Sequence, residues 1–355
     1  MKALYFGTYD RASPRNTQVV SCLRRAGVAV VERHREVWGR HNWRVGARQL
    51  ARVARAEGAL ARRQPDDADI VVVGYPGHFD IPAARRIARG RPVVFNPLVS
   101  LHDTLVGDRG RFRSRSPAAQ VLRAIDTIAF RRVDLVVADT EAHAAFFRRA
   151  FDLPGERVEV ALVGADEALF RPAHHPAAPF HALFVGKLIP LHGIETILAA
   201  AELAPEVPFR VVGDGQLSEL LERRPANVEY VPWIPYEELP EAYRAAGCAL
   251  GVFGTGEKTA RVIPNKVFQA LACARPVVTA DTPAARELLT DGGDALLVPP
   301  GDPAALAAAV RRIAADARLA ERLADAGRVT FEDRASEDVL GALWRSLLER
   351  AVAGG

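Results

Sequence analysis

Three short stretches carry residue types and spacings suited to holding a phosphate-bearing ligand. The first runs from Leu183 to Glu195 and sets Lys187 and His192 in a glycine-bearing loop between an apolar run and a helical pattern. Free N–H groups at a helix N-terminus, with a cation beside them, suit phosphate. A loop with two solvated polar residues has the same spelling. The second stretch places Gly213 and Gly215 directly after an apolar run. Glycine there lets backbone approach a ligand, although ordinary strand-to-helix turns use it too. The third, residues 254–269, is a polar loop with Glu257, Arg261, Pro264, Asn265, Lys266 and Gln269. Pro264 suits the first turn of a helix. Lys266 and Gln269 are spaced to share one helix face near its start.

The lysines sharpen this reading. Of 47 basic residues only Lys2, Lys187, Lys258 and Lys266 are lysine, and the rest are arginine. The arginine excess fits GC-rich coding. Three of the four lysines fall in the stretches above. An ammonium is a compact point charge and meets phosphate differently from the planar guanidinium. With so few lysines, chance gives the same pattern.

Such loops need elements to position them. Apolar, β-branched runs at 3–6, 28–31, 70–73, 92–95, 135–137 and 158–162 alternate with helical patterns at 17–25, 44–63, 82–89 and 118–131. A proline-rich stretch at 170–180 interrupts the alternation and reads as a linker. Runs at 182–185, 209–212, 228–231, 249–253, 276–279 and 295–298 then alternate with helical patterns at 195–204, 217–223, 237–246, 265–273 and 303–326. This predicts an α/β protein with two Rossmann-like, doubly wound parallel-sheet domains facing a central cleft. The expected domains are 1–172 and 173–334, with a helix over 335–355 packing back on the first. Open α/β sheets bind ligands beyond the C-terminal ends of their strands.

Composition removes other classes. The chain has 355 residues, 49% hydrophobic and 25% charged, which is ordinary for a soluble globular protein. Cys22, Cys248 and Cys273 lie far apart, which argues against a disulfide framework or a cysteine–zinc site and suits a reducing compartment. No apolar run approaches the roughly 18–20 residues of a membrane helix, and the short run after Met1 is no signal peptide. A cytoplasmic protein is expected, peripheral at most to the inner face of a membrane. Residues 1–172 carry 29 basic and 19 acidic residues, whereas the remainder has a net charge of −6. Segment 38–63, with Trp38 and Trp43, and the loop Arg109–Arg115 concentrate this positive charge. They suit an anionic membrane or a lipid-phosphate acceptor, or form a solvated arginine face. No nucleic-acid recognition motif accompanies the charge.

The second half resembles the retaining glycosyltransferases of GT-B fold, family 4-like, also described as glycosyl transferases group 1. The resemblance lies in Phe184-Val-Gly-Lys-Leu with His192-Gly-Ile-Glu, in Val211-Val-Gly-Asp-Gly215, and in Val228-Glu-Tyr-Val-Pro-Trp-Ile-Pro235. It continues in Pro264-Asn-Lys-Val-Phe-Gln-Ala-Leu-Ala272, Arg275-Pro-Val-Val278 and Ala295-Leu-Leu-Val-Pro-Pro-Gly-Asp302. In the first half, Gly155-Glu-Arg-Val and Phe170-Arg-Pro172 resemble the family's run into its linker. The resemblance implies a donor site in the second domain, with Lys187 and His192 at the positions that bind the donor pyrophosphate. His192 replaces the usual lysine. The family's paired glutamates fall near Arg261 and on Gln269, a departure at both places; Glu257 supplies a carboxylate if the loop is offset. Gly213, Gly215, Pro264, Asn265 and Lys266 complete the implied donor set. In the first half, Leu98-Val-Ser-Leu-His-Asp103 resembles the segment with a histidine near the transferred sugar. That implies His102 as a catalytic residue, oriented by Asp103. Gly7 would let backbone approach donor or acceptor, and Arg15 would meet an anionic group.

The implied reaction is transfer of a hexose-type sugar, with retention, from a UDP- or GDP-sugar to a hydroxyl of a glycan or lipid-linked acceptor. No cofactor beyond the nucleotide sugar is expected, and no metal, since the Asp67-Ala-Asp69 string precedes a strand and reads as a turn. Two alternatives stay open: a non-catalytic sugar-nucleotide-binding subunit, and a sugar-nucleotide epimerase of similar architecture.

Overall fold

The β-branched runs pair in parallel, and helices cover both faces, because a parallel sheet must be buried on each side. The computed structural model describes residues 1–11, 13–37, 47–62, 67–172 and 179–354. Met1–Val163 and Glu337–Gly355 form one compact unit, and Gly164–Ser336 forms another. Trp38, Trp43 and most of the proline-rich stretch, residues 173–178, lie outside the described residues.

In the first unit the chain runs β1 (Lys2–Gly7), α1 (Pro14–Arg25), β2 (Ala29–His34), α2 (Ala47–Ala61), β3 (Ile70–Val73), α3 (Ile81–Ala88) and β4 (Val93–Phe95). It continues through α4 (Pro117–Arg131), β5 (Leu135–Ala138), α5 (Glu141–Phe151) and β6 (Val158–Val160). The strand order is β2-β1-β3-β4-β5-β6, all parallel. Strands β3, β4 and β5 are buried along their whole length, which explains their unbroken apolar spelling. The order reverses direction between β1 and β3.

The second unit runs β7 (Ala182–Val185), α6 (Ile194–Leu203), β8 (Phe209–Val212), β9 (Val228–Val231), α7 (Leu239–Ala245), β10 (Cys248–Leu250) and α8 (Asn265–Ala272). Then follow β11 (Val277–Ala280), α9 (Pro283–Arg286), β12 (Leu296–Val298), α10 (Pro303–Ala315) and α11 (Ala317–Ala335). Its order is β12-β11-β10-β7-β8-β9, with the reversal between β7 and β10. Two doubly wound, Rossmann-like parallel sheets are therefore present.

Some local expectations shift. The pattern over 303–326 is two helices, because the Asp316 carboxylate caps α11 by accepting from Leu319 N at 3.0 Å. Residues 218–223 form tight 3₁₀ turns, not an α-helix. Phe170 packs with the second unit, its ring 5.7 Å from Tyr236 and 5.9 Å from Tyr243. The last helix, α12 (Glu337–Ala353), packs on α1 in the first unit. Trp344, Leu347 and Leu348 bury there against Val19 and Leu23, and Arg25 donates to Asp338 at 2.8 Å. Cys22, Cys248 and Cys273 are buried, and none is in a disulfide. Asp67 pairs with Lys2, and Asp69 accepts from Lys2 N at 2.7 Å, so the acidic string closes the turn before β3. Among the described residues, no helix is long and apolar enough to cross a membrane.

Candidate functional site

Open α/β sheets bind ligands beyond the strand ends where the order reverses, here between β7 and β10; Lys187 follows β7, and Lys258 and Lys266 lie between β10 and the first turn of α8. Lys187 is exposed. His192 is buried, with Nδ1 hydrogen-bonded to the Lys187 carbonyl, which folds the loop into one turn. Lys266, the second residue of α8, is 6% exposed and forms no hydrogen bond. Its Nζ lies 3.7 Å from the Phe184 ring centroid, a cation–π contact. A Cβ on Gly186 would stand 2.9 Å from that Nζ and 3.3 Å from His192 Cε1, so Gly186, His192 and Lys266 converge. Burial holds the Lys266 ammonium well below the ordinary lysine pKa.

Helix caps add to this asymmetry. In the same unit α9, α10 and α11 are capped by the side chains of Thr282, Asp302 and Asp316. Helices α6 and α8 begin at Gly193 and Pro264 without a side-chain cap. Their first N–H groups are left to solvent or a ligand; Lys187 lies in the loop that leads into α6, and Lys266 is in the first turn of α8. An ammonium without a hydrogen-bonding anion, beside uncapped helix starts, is a place where phosphate oxygens are stabilised.

The other expected donor residues divide. Gly213 has φ +138°, and a Cβ there would stand 1.9 Å from the Gly186 carbonyl oxygen. A Cβ on Gly215 would stand 2.5 Å from the Leu188 carbonyl oxygen. Both glycines are required by backbone of the neighbouring loop, with no ligand needed to explain them. Gln269 is buried and accepts from Tyr243 OH at 3.0 Å, so its amide oxygen is already engaged. Tyr236 is pushed up to about 12 by burial, with Asp166 adding to the shift. Arg261 is buried in a 3₁₀ turn, Glu257 is exposed, and Asn265 is half-buried at the start of α8. Pro264 sits at the N-cap, one position before the first turn expected of it.

In the first unit the corresponding reversal lies between β1 and β3. Gly7 ends β1 with φ +127°, and a Cβ there would meet Asp80 Oδ2 at 2.1 Å. Asp80 is buried and accepts from Thr8 N at 2.8 Å and Thr8 Oγ1 at 2.9 Å. The close approach at Gly7 is therefore made by Asp80. Glu57 of α2 is pushed up to about 11 by burial, with Asp80 adding to the shift. Arg15 is fully buried: Nε donates to Asn96 Oδ1 at 2.9 Å, and Nη1 donates to the Ala161 and Leu162 carbonyls at 3.0 and 2.9 Å. Its Nη2 is left without a hydrogen bond, so the group expected to meet an anion is a buried guanidinium largely engaged by the chain itself.

His102 and Asp103 follow β4, both half-buried. The backbone N–H groups of both are held by side chains. Asp126 of α4, fully buried, accepts from Ser100 Oγ at 2.6 Å, Leu101 N at 3.0 Å and His102 N at 2.9 Å. Ser100 Oγ in turn accepts from Asp103 N at 3.0 Å. His78 Nε2 lies 3.4 Å from Asp126 Oδ1 and donates to Val99 O at 3.1 Å. Burial lowers the His78 pKa, and Asp126 opposes that shift. The sequence reading missed Asp126, Asp80 and the buried pair of His143 Nδ1 with Asp139 Oδ1 at 2.6 Å. Each partner is distant in sequence or spelled like an ordinary surface residue.

Residues 179–316 match the family described as glycosyl transferases group 1. The lipopolysaccharide core biosynthesis glycosyltransferase LpsD of Rhizobium meliloti is 26% identical over 50% of this chain and 52% of its own. The chain spans about half the length of the curated relatives it matches first. Sucrose-phosphate synthase from Thermosynechococcus elongatus superposes with a TM-score of 0.77 at 18% identity, over 100% of this chain and 99% of that one. HepE of Anabaena, solved in complex with UDP-glucose, superposes with a TM-score of 0.71 at 18% identity, over 99% of this chain and 100% of its own. The family match lies in the second unit, which resembles the group 1 glycosyltransferases, and the chain as a whole shares the fold of these solved structures, the GT-B fold.

Proposed function

We propose that the chain is a retaining glycosyltransferase that moves a hexose-type sugar from a UDP- or GDP-sugar to an acceptor hydroxyl. The observation that carries this reading is the buried Lys266 ammonium, without a hydrogen bond, beside Gly186 and His192 at the β7/β10 reversal. In this reading Lys187, Lys266, His192 and the N–H groups opening α6 and α8 stabilise the diphosphate as it departs, a preorganised electrostatic role. Charge on the leaving group is met by cations and dipoles of the chain, and no metal ion or further cofactor is required. The UDP-glucose bound by HepE and the core-glycan role in the name of LpsD support a nucleotide-sugar donor and a glycan or lipid-linked acceptor. His102, presented by the Asp126-held turn, serves the transferred sugar. The protein works in the cytoplasm, with its basic first unit in peripheral contact with anionic membrane.

The test is a screen of UDP- and GDP-sugars with varied acceptors, read by mass spectrometry for free nucleotide and glycosylated product. Release of nucleoside diphosphate with a matching product supports the reading. Nucleotide binding without turnover of any donor supports the second one, a non-catalytic sugar-nucleotide-binding subunit. That second reading draws on Arg261 and Gln269 in the places of the family's glutamates, with Gln269 engaged by Tyr243.

A further inference from the structure

Helix α4 is amphipathic twice over. Ala119, Asp126, Ala129 and Phe130 turn one side to the first unit's interior. On the opposite side Pro117, Val121, Ala124 and Ile128 are exposed, at spacings that make one stripe on a helix of period 3.6. Val121 is 58% exposed and Ile128 47%. Phe112, in the loop before the helix, is 39% exposed. Arginines frame this stripe: seven stand between positions 109 and 132, and the one acid in that stretch, Asp126, is buried. Among the described residues, Arg113, Arg115, Arg123 and Arg132 have no ion-pair partner.

We propose that this face docks on an anionic lipid bilayer, with Phe112, Val121 and Ile128 entering the interface and the arginines meeting lipid phosphates. An apolar stripe beside Arg113, Arg115, Arg123 and Arg132, none paired with an acid among the described residues, fits such a surface. A second copy of the chain fits poorly, because a symmetric contact would set arginines against arginines. The proposal places the membrane contact suggested above on one helix, yet it does not depend on the donor chemistry. Its consequence is positional: Asp126 on the buried side of the same helix holds the turn that carries His102. A helix seated on the bilayer keeps that turn at the surface where a lipid-linked acceptor would arrive.

The test is co-sedimentation of the full chain with phosphatidylcholine vesicles, with and without equimolar phosphatidylglycerol, in the absence of nucleotide. Binding is expected only to the anionic vesicles, with release at high salt. Arg113→Gln/Arg115→Gln should weaken it by about tenfold or more. Val121→Ser/Ile128→Ser should weaken it by about tenfold. All four positions are exposed, so an unchanged circular dichroism spectrum is expected of both variants. No binding to anionic vesicles, equal binding to neutral ones, or wild-type binding by both variants overturns the proposal. A concentration-dependent dimer abolished by the serine pair, without vesicle binding, overturns it too and makes the stripe a contact between copies. A nucleotide result of either sign leaves these outcomes unaffected.

Discussion

The two units share a fold and differ in how they treat the point where strand order reverses. Between β1 and β3 the first unit spends its polar groups on itself: Asp80 takes both Thr8 donors, and Arg15 reaches Asn96 and two carbonyls. Between β7 and β10 the second unit leaves a whole ammonium without a hydrogen bond, whereas Arg15 lacks a partner at Nη2 alone; helix starts without side-chain caps follow both reversals, at α1 and α3 as at α6 and α8. The more basic half of the sequence is therefore not the one that holds a cation in reserve at its reversal. Net charge describes surfaces, while an unsatisfied buried charge describes a site.

The harshest test of this comparison is steric. Gly213→Ala drives a Cβ to 1.9 Å from a backbone oxygen at φ +138°, with nothing flexible to yield. It should cost about 3 kcal/mol or more in chemical denaturation. Gly7→Ala meets a side chain, that of Asp80, and should cost less. Equal costs would erase the distinction between a backbone-closed and a carboxylate-closed reversal.

Asp126→Asn comes next. It turns an acceptor-only carboxylate into a group that faces three donors with an NH₂. A loss of about 2–3 kcal/mol is expected by urea titration, with the turn at Ser100–His102 loosened. An unchanged midpoint would mean that the turn is held by other contacts.

Lys266→Met separates binding from stability. It removes a buried amino group whose charged form burial opposes and which has no hydrogen bond, so the nucleotide-free protein should gain about 1–2 kcal/mol while affinity for nucleoside diphosphate falls. The sign with pH is fixed by the lowered pKa. Between that value and roughly 10.4 the unfolded chain holds the extra proton, so wild-type stability rises with pH across this window. That contribution is complete above the ordinary lysine value and is lost as pH falls through the folded one. The methionine variant should lack it. A destabilised variant with the wild-type pH slope would refute the assignment of an unpaired ammonium.

The smallest effect is at Ala274, whose φ of +51° follows the end of α8. Ala274→Gly should raise stability by about 0.5–1 kcal/mol in thermal melts, leaving nucleotide affinity unchanged.

Much of the scaffold was legible because strands and helices leave local periods in sequence. The glycine-bearing loops could be found for the same reason, since they interrupt those periods. Strand order was not legible, because it depends on which distant segments pair. Neither was the latch of Asp80 on Thr8, 72 positions away, or that of Asp126 on His102, 24 positions away. The GxG spelling was legible and its reason was not: only the approach of the Gly186 and Leu188 carbonyls distinguishes a loop contact from a ligand contact. Lysine scarcity pointed toward Lys266, but its seat against Phe184 required the packed sheet.

Thermal denaturation with UDP, GDP and their monophosphates tests whether the β7/β10 reversal is a nucleoside-diphosphate site. A diphosphate at a hundred times its Kd should contribute about 2.7 kcal/mol and raise the melting temperature. The monophosphates should do less, and Lys187→Ala should diminish the shift. A melting temperature unmoved by every nucleoside diphosphate, in a protein that melts cooperatively, would contradict the account.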